Sequence, residues 1–167
     1  MTYNQKRHTQ LLKRSQELKN QGKNLFIENR EEDFELSEYN IAVEEHIFWQ
    51  DRYQVALSME DFLNRKIDGK ELCGRVYGLR SKLINTCEKF TLELSSGKVK
   101  DFKPDGRSKK LSGFLTDLYC ECEYFAEAED YQNEKFYDSI KNGFLNFQKI
   151  LNDEMNDSSF LESNWQI

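Results

Sequence analysis

Between Phe62 and Leu94 the apolar positions return with a helical period. Leu72, Val76, Leu79, Leu83, Cys87, Phe90 and Leu94 recur every three or four residues, which at about 100° per residue places them on one face, with Arg75, Lys82 and Lys89 opposite. Asp68 and Glu71, three apart just ahead of this run, have the spacing of a helix-start acceptor and its reciprocal acid. Phe62, Leu63 and Ile67 close an earlier helical pattern, so Asp68-Gly69 is expected to be the corner of a helical hairpin.

The same pattern divides the rest of the chain. Leu11, Leu12, Leu18 and Leu25 anchor a basic, glutamine-rich start in which one amphipathic helix from about Thr9 to Asn20 is expected. Glu28–Glu38 sets Phe34 and Leu36 among acids and reads as an acidic linker. From Ser37 to Ile67, Ile41, Glu44, Ile47, Phe48, Leu57, Phe62 and Leu63 suit a helix, thickened by His46, Trp49 and Tyr53. Ser58-Met59-Glu60-Asp61 offers a second cap there, leaving one helix or two open. Ser95-Ser96-Gly97 ends the hairpin, and a basic loop runs to Lys110 with a turn at Pro104-Asp105-Gly106. Ser108 is placed to cap a helix through Leu111, Phe114, Leu115, Leu118, Cys122 and Phe125, and Asn133 to cap a last one through Phe136, Ile140, Phe144, Phe147 and Leu151. The expectation is an all-α protein, a four- to five-helix bundle, mainly antiparallel, with an extended N-terminal segment. Residues 1–37 form a basic and then acidic extension, partly helical or disordered; 38–151 form the bundle; 152–167 form an acidic mobile tail with Trp165 as an anchor.

Composition agrees with helices, since the 167 residues include one proline and eight glycines. No apolar run approaches the roughly 20 residues that cross a bilayer, and Met1–Gln10 is too polar for a signal-peptide core, so a soluble, non-exported chain without a membrane span is expected. Cys73, Cys87, Cys120 and Cys122 are then reduced thiols. No C-x2-C spacing suggests zinc, and Cys120 and Cys122 point about 200° apart on a helix, so neither metal nor cofactor is expected. The net charge of −6 conceals blocks: +5 over residues 1–27, −8 over 28–51, +7 over 65–110 and −7 over 111–138.

These patterns offer little to catalysis. The two histidines, His8 and His46, lie in a basic extension and mid-helix; no glycine-rich phosphate loop is present, and Glu44-Glu45-His46 misses the E-x-x-H spacing of bundle metal sites. An enzyme is not expected, nor a small-molecule substrate. Binding is the better reading. Asp117, Glu121, Glu123, Glu127, Glu129, Asp130 and Glu134 form a candidate acidic face for a basic protein partner. The alternative uses Lys98, Lys100, Lys103, Arg107, Lys109 and Lys110 with the basic N-terminus, and Tyr3 and Phe102 for stacking, as contacts to RNA or a larger assembly in which the chain is a scaffold subunit.

At the hairpin, Phe62-Leu63, Lys66-Ile67, Glu71-Leu72 and Arg75-Val76 spell F-L-x-x-K-I-x-x-x-E-L-x-x-R-V, which resembles the hairpin of the colicin D immunity protein family. The segment Leu111–Leu151 is compatible with the same family, bringing the likeness to about ninety residues. Residues 1 to about 55 and the basic loop have no counterpart in its shorter core. The resemblance implies an all-α protein that binds a tRNA-cleaving toxin domain and covers its active site with acid in place of RNA; the lack of a signal-peptide core makes the expected compartment cytoplasmic. Richness in Asn, Lys, Ile and Phe also matches reading frames of AT-rich bacterial or plastid genomes, where the compartment is the stroma.

Overall fold

The computed structural model describes residues 2–108, 111–127 and 133–152. Lys109, Lys110, Glu129, Asp130 and the tail with Phe160, Leu161 and Trp165 lie outside the described residues, as does the side chain of Ser112. The fold is all-α. Its helices are α1 (Gln5–Asn20), the single turn α2 (Leu25–Glu28), α3 (Arg30–Leu63), α4 (Gly69–Ser95), α5 (Leu111–Glu127) and α6 (Glu134–Leu151), with a 3-10 turn at Gly106–Ser108 and no strand among the described residues. No helix there is long and apolar enough to cross a membrane.

Short amide and carboxylate side chains start α1, α2, α3, α4 and α6. Asn4, Asn24 and Asn133 accept from the backbone N–H of Arg7, Phe26 and Lys135 at 3.1, 2.8 and 2.8 Å, and Asn29 accepts from Glu32 at 3.2 Å. Asp68 accepts from the Glu71 N–H at 2.8 Å, as its position predicts, but the Glu71 carboxylate does not return to the cap; it holds Arg75 at 2.7 Å. Ser108 does not follow expectation either, since its hydroxyl donates to the Asp105 carbonyl at 2.6 Å, three residues ahead of α5.

For α3 one expectation is corrected and one open alternative is decided. The acidic segment Glu28–Glu38 is no linker: α3 begins at Arg30, with Glu31, Glu32 and Asp33 in a first turn whose unpaired N–H groups favour negative charge. Helix α3 is also single, because the Ser58 hydroxyl donates back to the Gln54 carbonyl at 2.8 Å and interrupts nothing. Its buried register runs through Leu36, Tyr39, Val43, Phe48, Val55, Met59 and Phe62, while Ile41, Tyr53 and Leu57 are exposed.

The residues fall into two compact units. The first comprises Met1–Gln50 and Arg80–Gly113, with a core in which Leu11, Leu25, Leu36 and Tyr39 cluster and Tyr3, Leu12 and Leu18 pack against them. The second comprises Asp51–Leu79 and the chain from Phe114. Its α5 buries Phe114, Leu115, Leu118, Cys122 and Phe125, and α6 buries Phe136, Ile140 and Phe147, with Phe114 stacked on Phe147 at 4.5 Å between centroids. Burying each such side chain contributes about 1.5–3 kcal/mol.

Candidate interaction surfaces

The buried stripe of α5 decides which way its acids face. At about 100° per residue, Glu123, Glu127, Cys120, Tyr124, Asp117 and Glu121 follow one another round an arc of about 160° on the side away from the core. Asp117, Glu123 and Glu127 are exposed, Glu121 is half-buried, and Tyr124 within the arc is 67% exposed. No lysine or arginine occurs in α5. None of the four carboxylates has an ion-pair partner among the described residues, and Glu123 accepts a hydrogen bond from the Tyr119 hydroxyl. Although the residue as a whole is exposed, the protein atoms round the Asp117 carboxyl take some of its water away and raise it above its ordinary value. Glu134 has other company: it stands in the first turn of α6 and lines a groove of about 860 Å³ with Asp138, Arg65 and Lys66.

Elsewhere several acids are paired with cations. In the first unit Arg7 reaches Glu35 at 2.7 Å and Glu32 at 3.4 Å, Arg14 reaches Glu32 at 3.0 Å, and Lys23 lies 3.6 Å from Glu28. One face of basic α1 is thereby matched to the acidic start of α3. At the hairpin, Asp61 accepts from Lys66 and Arg75, each at 3.1 Å, and Arg75 also binds Glu71. The three polar residues of the motif, Lys66, Glu71 and Arg75, thus brace the corner between α3 and α4 together.

The other face of α1 meets the basic loop. The Gln5 side chain donates to the Val99 carbonyl at 2.7 Å and accepts from the Phe102 N–H at 2.7 Å, holding residues 99–102 against the helix. Between them lies a groove of about 600 Å³ lined by Lys6, Thr9, Gln10, Lys13, Lys100 and Asp101. Lys98 and Lys103 are exposed on the same loop. Arg107 is committed within the chain: it binds the Asp105 carboxylate at 3.0 and 2.7 Å, holding that group down to about 2, and lies 5.3 Å over the Trp49 ring.

Tyr3 and Phe102, expected as stacking groups for bases, turn inward instead. Phe102 meets Tyr3, His46 and Phe90 with centroids 5.3, 5.0 and 4.7 Å away, and Tyr3 meets His8 and Tyr39. Apolar burial outweighs display for these rings. The cluster contains both histidines, neither of them presented to a nucleophile: His46 accepts from the Asp105 N–H at 3.1 Å, and His8 is fully buried. Sequence reasoning missed it, although His8, Leu11 and Leu18 share one stripe of α1 once histidine is counted as apolar.

Cys120 is exposed and Cys122 buried, as their spacing requires, and the Cys73 thiol lies 3.8 Å from the Cys122 carbonyl. The neighbouring Cys73 sulfur and burial both push the Cys122 thiol upward. Among the described residues no group of three or more His, Cys, Asp or Glu is arranged to hold a metal. No protein-family model, curated protein or solved structure matches this chain.

Proposed function

We propose that this chain is a non-enzymatic binding protein of immunity type, taking a basic protein partner, a tRNA-cleaving toxin domain, on the solvent face of α5. The observation that carries the reading is the α5 arc: four carboxylates, no cation, and an exposed tyrosine among them. Such a face steers a cationic partner toward itself and occupies the site that an RNA backbone would fill. Tyr124 adds what charge alone lacks, a rigid ring of the kind that anchors interfaces. The sequence motif adds little, since Lys66, Glu71 and Arg75 have structural work at the hairpin corner.

Two measurements test this. An excess of the chain added to a purified toxin domain of the colicin D type should stop tRNA cleavage, and undiminished cleavage defeats the immunity reading. Against a basic partner recovered by affinity capture, Glu121→Gln, Glu123→Gln and Glu127→Gln together should slow association about tenfold at low salt, with the difference shrinking as salt screens the field. Equal association rates remove α5 from the account.

A further inference from the structure

Two sets of cations stand out on and just after α1 and on the loop that follows α4. Arg7, Arg14, Lys23 and Arg107 are each matched by a carboxylate. Lys6 and Lys13 on α1, and Lys98, Lys100 and Lys103 on the loop, have no ion-pair partner among the described residues, and all five are exposed. Lys6, Lys13 and Lys100 stand round one groove although about ninety residues of sequence separate the two segments, and Asp101 is the single acid lining it. Like charges brought together repel, so folding alone gives no reason to gather them in a chain of net charge −6. The arrangement is also held in place: Gln5 fixes the loop through two hydrogen bonds, His46 accepts from the loop at Asp105, and Phe102 packs beneath.

We infer that this groove between α1 and residues 99–101 binds the phosphodiester backbone of a single-stranded nucleic acid. Lysine ammonium groups act on phosphates as point charges, and Thr9 and Gln10 add neutral hydrogen-bonding groups to the lining. Lys6 and Lys13 lie seven residues apart, about 10.5 Å along the helix axis, a span that reaches more than one phosphate of an extended strand. The rings that would stack on bases, Tyr3 and Phe102, are half-buried and packed edge to face on one another and on His8, Tyr39, His46 and Phe90. Recognition is therefore of backbone alone, indifferent to base identity and to the 2′-hydroxyl, and steeply dependent on salt. The inference stands apart from the α5 face, and its failure leaves that reading untouched.

The test is fluorescence anisotropy of labelled oligouridylate, oligoadenylate and oligothymidylate with the full chain at low salt. All three should bind alike. Lys6→Gln, Lys13→Gln and Lys100→Gln together should cost about tenfold or more in affinity and flatten the slope of log affinity against log salt by about 2, at about 0.7 per phosphate contact. Lys135→Gln, a single exposed charge in the second unit, should change affinity by less than about twofold, with folding of each variant checked by far-ultraviolet circular dichroism. Absence of binding overturns the inference, as does an equal loss with Lys135→Gln. So does displacement by polyglutamate or by inorganic polyphosphate that matches the oligonucleotides charge for charge, since either would assign the groove to another polyanion.

Discussion

His8 shows how one side chain can be read wrongly from its neighbours in sequence. It sits among lysines and arginines yet is fully buried, with Nδ1 3.0 Å from the Tyr3 hydroxyl and Nε2 3.0 Å from Asn40 Oδ1. With Oδ1 as the acceptor, Nε2 carries the proton and Nδ1 accepts from Tyr3, so the neutral ring is fully satisfied. Burial pulls the ring below its ordinary value, opposed by the Asn40 contact. In the unfolded chain the ring takes a proton near about 6.5, whereas the folded chain resists to lower pH. The resulting stability is complete above about 6.5 and is lost as pH falls from there through the folded value. We predict that the His8 ring, followed by proton NMR, titrates below free histidine, and that His8→Gln lessens the fall of the urea midpoint between pH 7 and 5. A His8 midpoint at or above the free value contradicts this. Tyr3 behaves oppositely: burial, aided by Tyr39, pushes its hydroxyl up to about 12, so its contribution holds below about 10 and is lost as pH rises through the folded value.

Among elements, helix ends decide what was legible. The apolar stripes of α4, α5 and α6 follow sequence period because each helix buries one face, whereas α3 differs in its surroundings along 34 residues and its period misplaces Ile41 and Leu57. Its start was nonetheless written in Asn29 and Glu32, a cap and an acid three apart; the acids around them looked like a solvated linker because first-turn and linker compositions coincide. Three helices end alike. The N–H of Lys23, Lys66 and Lys98 reaches back five residues to Leu18, Asp61 and Glu93, each at 2.9 Å, after a residue of positive φ. That residue is Gly22 after α1 and Gly97 after α4, but Arg65, at φ 57°, after α3. The left-handed conformation costs a residue with a Cβ about 1–2 kcal/mol, partly offset by the greater freedom of an unfolded glycine. Arg65→Gly should therefore stabilise the protein by about 0.5–1 kcal/mol. Gly74 and Gly78 invite the reverse change, being exposed within α4 with open space where a Cβ would stand, so alanine at each should add about 1 kcal/mol. Denaturant midpoints check all three, and a lowered midpoint for either alanine variant would mean that its glycine has a role that helix propensity does not describe.

For the molecule as a whole, blocks of opposite charge were visible in the sequence, but not which of them cancel. That depends on α1 having two charged faces, one carrying Arg7 and Arg14 to Glu32 and Glu35 and the other carrying Lys6 and Lys13 to the loop groove. Periodicity of apolar residues does not report such a division, and the loop's return to α1 through Gln5 depends on contacts more than ninety residues apart. The consequence reaches any experiment that removes the N-terminus. Deleting residues 1–25 to ask whether their charge tethers the chain to an assembly also removes His8, Leu11 and Leu25 from the first core, so loss of binding would reflect unfolding as readily as lost charge. Point changes separate the two effects. Leu11→Ala leaves every charge in place and empties a side chain that is 1% exposed, which should cost about 2–5 kcal/mol and quicken amide exchange through α1 and the turns of α3 around Leu36 and Tyr39. Lys6→Gln with Lys13→Gln removes charge from exposed positions and should leave that exchange unchanged. If α1 instead exchanges as fast in the wild type as in Leu11→Ala, the N-terminal helix contributes no stability to this core, and its lysines are free to act as an appendage instead of as one wall of a fixed groove.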